Sequence, residues 1–83
     1  MSIVVYTRPG CGDCTQAKTL ITLKGETYQE VNLSTPQLME GFKENFPSVR
    51  AMPHILINGI EINGLRGLKE YYDNRKQLLT ENR

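Results

Sequence analysis

The stretch Arg8-Pro9-Gly10-Cys11-Gly12-Asp13-Cys14 decides how this chain is read. It holds both cysteines, in C-x-x-C spacing, at the point where one hydrophobic pattern gives way to another. Before it lies Ile3-Val4-Val5-Tyr6, a short β-branched run of the kind that forms a fully buried central strand. After it, Ala17, Leu20, Ile21 and Lys24 recur at helical spacing, and Gly25 stands where a helix C-terminal glycine belongs. These signals predict a helix over about 12–24. Residues 26–33, with Tyr28, Val31 and Leu33 as apolar members, read as a second strand. Strand, helix and strand in succession make a βαβ unit, with parallel strands and a right-handed crossover.

Ser34-Thr35-Pro36-Gln37 starts a second helix. Two caps are open. Ser34 can cap with Gln37 three residues on, or Thr35 can cap with Pro36 at the first helical position. Leu38, Met39, Phe42 and Phe46 form its apolar stripe, and Pro47 should stop it. A loop over 48–52 leads to Met52-Pro53. His54-Ile55-Leu56-Ile57 then reads as a strand, Asn58-Gly59 as a hairpin turn, and Ile60-Glu61-Ile62 as the returning strand with Glu61 facing water. After Asn63-Gly64, residues Leu65, Leu68, Tyr72 and Leu79 share one helical face, and Thr80 to Arg83 should fray. Tyr6, Tyr28, Tyr71 and Tyr72 fall at core or core-edge positions. The expected architecture is a single α/β domain over residues 1–83. It has the order β-α-β-α-β-β-α and a four-stranded mixed sheet flanked by three helices.

The chain has 83 residues, ten basic and nine acidic, with a formal net charge of +1. A domain this small buries only roughly 60% of the surface its unfolded chain exposes, so it builds one core. The charge balance offers no electrostatic argument for a nucleic-acid or membrane partner. No apolar run approaches the roughly 20 residues that span a bilayer, and Met1 to Tyr6 is too short for a secretory signal. The expected location is therefore cytoplasmic. In a reducing compartment a C-x-x-C pair is more often catalytic or metal-binding than a permanent crosslink.

Disulfide exchange is carried by a thiolate, and the unpaired N–H groups and dipole of a helix N-terminus stabilise that anion. Cys11, at the first turn, is the candidate nucleophile. Cys14, one turn further in, is the candidate resolving thiol, which attacks the mixed disulfide at Cys11. Arg8 can add positive charge beside Cys11. Asp13 opposes a second anion there, or simply complements the helix dipole. Structural zinc usually takes four ligands, and the chain offers Cys11, Cys14 and His54 without a second C-x-x-C. His54, alone at a strand start, reads as structural or as a surface residue.

With these motifs in view the chain resembles the glutaredoxins, within the thioredoxin-like superfamily, over essentially its whole length. Arg8-Pro9-Gly10-Cys11-Gly12-Asp13-Cys14 resembles the family's active site, Arg50-Ala51-Met52-Pro53 its Arg-Thr-Val-Pro loop, and Asn63-Gly64-Leu65 its Gly-Gly turn. The resemblance implies a dithiol glutaredoxin of the compact bacterial or phage form: a monomeric oxidoreductase that reduces protein disulfides or glutathione mixed disulfides. It implies a cis peptide between Met52 and Pro53. It also implies glutathione as cosubstrate, with no tightly bound cofactor. Arg8 would meet the glycine carboxylate, and Met52 beside Pro53 the cysteine backbone. The N–H groups of Leu65 and Arg66, after Gly64, would take the γ-glutamyl carboxylate. A ribonucleotide reductase is a family-level protein partner.

The chain departs from the common pattern at Gly12 and Asp13, where Pro and Tyr usually stand, at Ala51, at Asn63 and at Arg66-Gly67. Two further readings follow. A weaker glutathione motif fits a thioredoxin-like electron donor recharged by a flavin reductase. Gly12 resembles forms in which two chains share a [2Fe-2S] cluster with glutathione, with Cys11 as ligand.

Overall fold

A computed structural model describes residues 1–81, with side chains as far as Asn74. The elements are β1 (Ile3–Thr7), α1 (Gly12–Leu23), β2 (Gln29–Asn32), α2 (Pro36–Asn45), β3 (His54–Ile57), β4 (Ile60–Asn63) and α3 (Gly64–Glu81). They form one four-stranded sheet in the order β2-β1-β3-β4. β1 pairs parallel with β2 and antiparallel with β3, and β3 pairs antiparallel with β4. The α/β element order and mixed sheet are those expected.

The pleat of β1 sorts the core. Ile3 and Val5 point with Ile55 and Ile57 of β3 to one face, where Ala17 and Ile21 of α1 and Leu68 and Tyr72 of α3 cover them. Val4 and Tyr6 point to the other face and are only half-buried, so β1 is central but not fully buried on both sides. There Tyr6 meets Phe42 of α2 at a ring-centroid distance of 4.9 Å and Phe46 at 5.5 Å.

Local chemistry explains most boundaries. α1 ends in a left-handed Gly25, φ +78°, with the Glu26 amide donating back to the Ile21 carbonyl. Thr35 caps α2 by accepting from the Leu38 amide at 3.2 Å with Pro36 in the first turn, which decides between the two caps. Asn58 and Gly59 both have positive φ, as a tight hairpin turn of this type requires. The Asn58 side chain also accepts from the Ser2 amide, tying the N-terminus to the hairpin.

Four expectations change. β2 is four residues rather than eight, because it is an edge strand bonded only to β1, and residues 26–28 serve as connection. α2 spans 36–45 rather than reaching Phe46, which is its cap residue. Leu38 is exposed, since the helix face centred on Phe42 leaves it on the rim. α3 begins at Gly64, directly off β4, and continues through Thr80 and Glu81, where fraying was expected. A Cβ on Gly67 would stand 3.3 Å from Ile62 Cγ2, so a small residue lets α3 fold straight back on β4. Leu79 lies outside the residues whose side chains are described, and Asn82 and Arg83 lie outside the described residues. Among the described residues no helix is long and apolar enough to cross a membrane.

Candidate active site

Cys11 is the N-cap residue of α1, one position before the first turn where the spacing placed it. Its backbone is extended (φ −96°, ψ 104°), and its Sγ accepts the backbone N–H of Cys14 at 3.1 Å. The sulfur thus occupies the position a serine or aspartate oxygen takes in an ordinary cap. Cys14 is 2% exposed on the core face of α1, in line with Ala17 and Ile21. The two cysteines are joined as a disulfide with Cα atoms 5.3 Å apart. The outer sulfur is half-buried and reachable, the inner one shielded, an asymmetry that suits one thiol for attack and the other for resolution.

Beside Cys11, Met52-Pro53 is a cis peptide, as the resemblance implied, and the Met52 carbonyl oxygen lies 3.8 Å from Cys11 Sγ. Gly64, φ +72°, donates its N–H to the Pro53 carbonyl at 3.0 Å. That bond brings the N-terminus of α3 against the proline loop. Cys11, Met52, Pro53 and Gly64 therefore converge from three separate parts of the chain. Arg8 is exposed and borders both the thiol groove and the adjoining groove beside Met52. Leu65 packs half-buried against the core. Arg66 is 93% exposed and pairs with Glu70 on its own helix at 3.3 Å.

His54 is not a surface residue. It is fully buried, its ring 5.0 Å from that of Phe46 and 5.8 Å from that of Phe42, with Nε2 3.0 Å from Glu61 Oε1. The sheet register puts it opposite Tyr6 on the α2 face, so it packs behind the proline loop rather than lining the thiol groove. Glu61 is solvent-exposed as expected but spends an oxygen on this ring. Among the described residues, no group of three or more His, Cys, Asp or Glu side chains is placed to hold a metal ion.

A polar cluster stands beside the thiols that no local sequence pattern marks. The buried Thr7 hydroxyl donates to Glu30 Oε2 at 2.7 Å, and Lys18 Nζ lies 3.2 Å from the same oxygen. All three line the groove that reaches Cys11 and Cys14. The Thr7 hydrogen bond first, and the Lys18 ammonium with it, hold the Glu30 carboxyl below its ordinary value of 4.5 against the opposing effect of burial. The only signal available beforehand was the i,i+4 spacing of Cys14 and Lys18 on one helix face.

The glutaredoxin family model matches residues 3–62. Among curated relatives, the hybrid peroxiredoxin hyPrx5 of Haemophilus influenzae is 34% identical over 77 residues, covering 86% of this chain and 29% of that protein. Glutaredoxin 1 of Rickettsia felis is 30% identical over 69 residues, covering 81% of this chain and 68% of that protein. The chain thus spans under a third of the hybrid protein and about two thirds of the other. Among solved structures, a glutaredoxin from Brucella melitensis superposes with a TM-score of 0.73 at 32% identity, over 93% of this chain and 84% of that one. Glutaredoxin 1 from Francisella tularensis, complexed with cacodylate, gives 0.80 at 22% identity, over 92% and 96%. A buckwheat glutaredoxin–glutathione complex gives 0.75 at 24% identity, over 92% and 72%. These overlaps establish the thioredoxin-like fold.

Proposed function

The chain belongs to the glutaredoxin family, and on that premise we propose that it is a glutathione-dependent oxidoreductase that reduces glutathione mixed disulfides and protein disulfides. The coarser activity, thiol–disulfide exchange at Cys11 and Cys14, follows from the family and the paired cysteines. The observation that carries the finer reading is the capped sulfur of Cys11 facing the Met52 carbonyl, with Gly64 tied to Pro53 behind it.

In the proposed cycle the Cys11 thiolate attacks a substrate disulfide, and one substrate sulfur leaves as a thiol. Glutathione then reduces the mixed disulfide at Cys11 directly, or Cys14 attacks it and closes the intramolecular disulfide. Extended substrate backbone pairs with the peptide groups of Met52, as at a sheet edge. Arg8 takes the glycine carboxylate of glutathione. The opening amides of α3, at Leu65 and Arg66 after Gly64, take the γ-glutamyl carboxylate. The solved neighbour described as a glutaredoxin–glutathione complex supports this ligand. The protein works as a cytoplasmic monomer, and a ribonucleotide reductase is one candidate protein substrate.

The test is a coupled assay with glutathione, glutathione reductase and a small mixed disulfide. Cys11→Ser should lose all turnover, while Cys14→Ser should keep removal of glutathione adducts. Turnover supported by thioredoxin reductase and not by glutathione would replace this reading with the flavin-reductase one. Visible absorption and iron in an anaerobically purified dimer would replace it with the cluster-binding one.

A further inference from the structure

Cys14 is shut off by its own helix and the core, and the groove it shares with Thr7, Arg8, Cys11, Lys18 and Glu30 is its route to water. Lys18 follows Cys14 by four residues, so their side chains leave the same face of α1 one turn apart. The lysine is not a loose surface charge. Its Nζ lies 3.3 and 3.2 Å from the two Glu30 oxygens, and the side chains of both residues are only about 30% exposed. Glu30 is placed by the parallel register of β2, which sets it beside Val5 on the α1 side of the sheet, and by the buried hydroxyl of Thr7. An isolated surface pair would add little to stability. Three side chains from three elements, assembled beside a buried sulfur, call for a chemical role.

We infer that Lys18, fixed by Glu30 and Thr7, is a positioning residue for the resolving half-reaction, its ammonium favouring the anionic form of the Cys14 sulfur. This rests on the dithiol cycle proposed above. In that step Cys14 loses its proton to groove water. The thiolate attacks Cys11 Sγ of the mixed disulfide, the Cys11–Cys14 bond forms, and the bond from Cys11 to substrate sulfur breaks. The substrate thiolate leaves and takes up a proton, so the substrate is reduced as the two cysteines are oxidised. The charged and titratable groups facing Cys14 in this groove are Arg8, Cys11, Lys18 and Glu30. Asp13 precedes it, exposed, on α1, and α3 contributes none to the groove lining. Lys18 is the cation carried on the helix face of Cys14 itself.

The test isolates Cys14 in a Cys11→Ser background and follows its alkylation by iodoacetamide at neutral pH. Lys18→Met should slow alkylation about three- to tenfold, the effect of losing a nearby opposite charge. Lys18→Arg should restore the rate to within about twofold, and Glu30→Gln, which keeps an acceptor oxygen to hold Lys18 but removes the opposing negative charge, should raise it. With both cysteines present, Lys18→Met should slow substrate release from the Cys11 mixed disulfide by the same factor. An unchanged alkylation rate, or equal slowing by Lys18→Arg, overturns the inference. So does a loss of equal size for Lys18→Met in a Cys14→Ser background, where no resolving step exists. A wild-type protein inactive toward every disulfide would instead overturn the proposed function, leaving the alkylation rates to decide Lys18.

Discussion

The backbone amide of Cys14 donates to Sγ of Cys11 at 3.1 Å, so the sulfur proposed to meet substrate already holds an N–H that has no partner within the helix at the start of α1. An anion there gains from both that donor and the helix dipole. In the reduced protein, iodoacetamide should modify Cys11 at pH 6 at least about tenfold faster than it modifies the unfolded chain. Asp13→Asn removes the carboxylate in the first turn and should accelerate modification about two- to threefold. An unchanged or slower reaction would refute the opposing charge of Asp13 and leave it as a dipole partner.

Gly64 holds φ +72° while its amide bonds Pro53. An alanine there must adopt a left-handed backbone that costs about 1–2 kcal/mol. Thermal unfolding of Gly64→Ala should show a midpoint lower by roughly 4–8 °C per kcal/mol for a domain of this size. Mixed-disulfide reduction should weaken with it, since the same hydrogen bond sets the proline loop.

His54 is fully buried among Tyr6, Phe42 and Phe46, with Glu61 on its Nε2. Urea denaturation of His54→Ala should show a loss of about 2–4 kcal/mol, from a cavity that the aromatic rings cannot close. Glu61→Gln retains an acceptor at an exposed position and should cost under about 1 kcal/mol. A small effect at His54 would mean that α2 collapses onto the sheet without it.

Glu30 ionises more readily in the folded protein than at its ordinary value of 4.5. A carboxyl with a depressed folded pKa contributes stability above its unfolded pKa and loses it as pH falls through the folded one. Urea midpoints of wild type and Glu30→Gln should therefore differ at pH 7, and the difference should shrink as pH falls below 4.5 and through the lower folded value. A gap of constant size across the whole acid range would assign the effect to packing rather than charge.

Arg66 pairs with Glu70 but stands beside the amides proposed for the γ-glutamyl carboxylate. Arg66→Ala should raise KM for a glutathione mixed disulfide about two- to fivefold, with kcat little changed, the signature of lost uniform binding. Equal kinetics would leave the backbone amides of α3 as the whole of that subsite.

The sequence alone determined the order of elements, the placement of Cys11 and Cys14 at a strand-to-helix junction, the proline-led start of α2 and the Asn58-Gly59 turn. All of these are set by residues within a few positions of one another, where backbone propensity and local hydrogen bonds act. Tertiary structure decided the rest. It shortened β2 by making it an edge, left Leu38 on the rim, drew His54 into an aromatic pocket, and brought Thr7, Lys18 and Glu30 together beside the thiols. Those outcomes depend on which faces of helices and strands meet. That is fixed by pairing register and burial between segments 12 to 23 residues apart or more, and no local pattern encodes it.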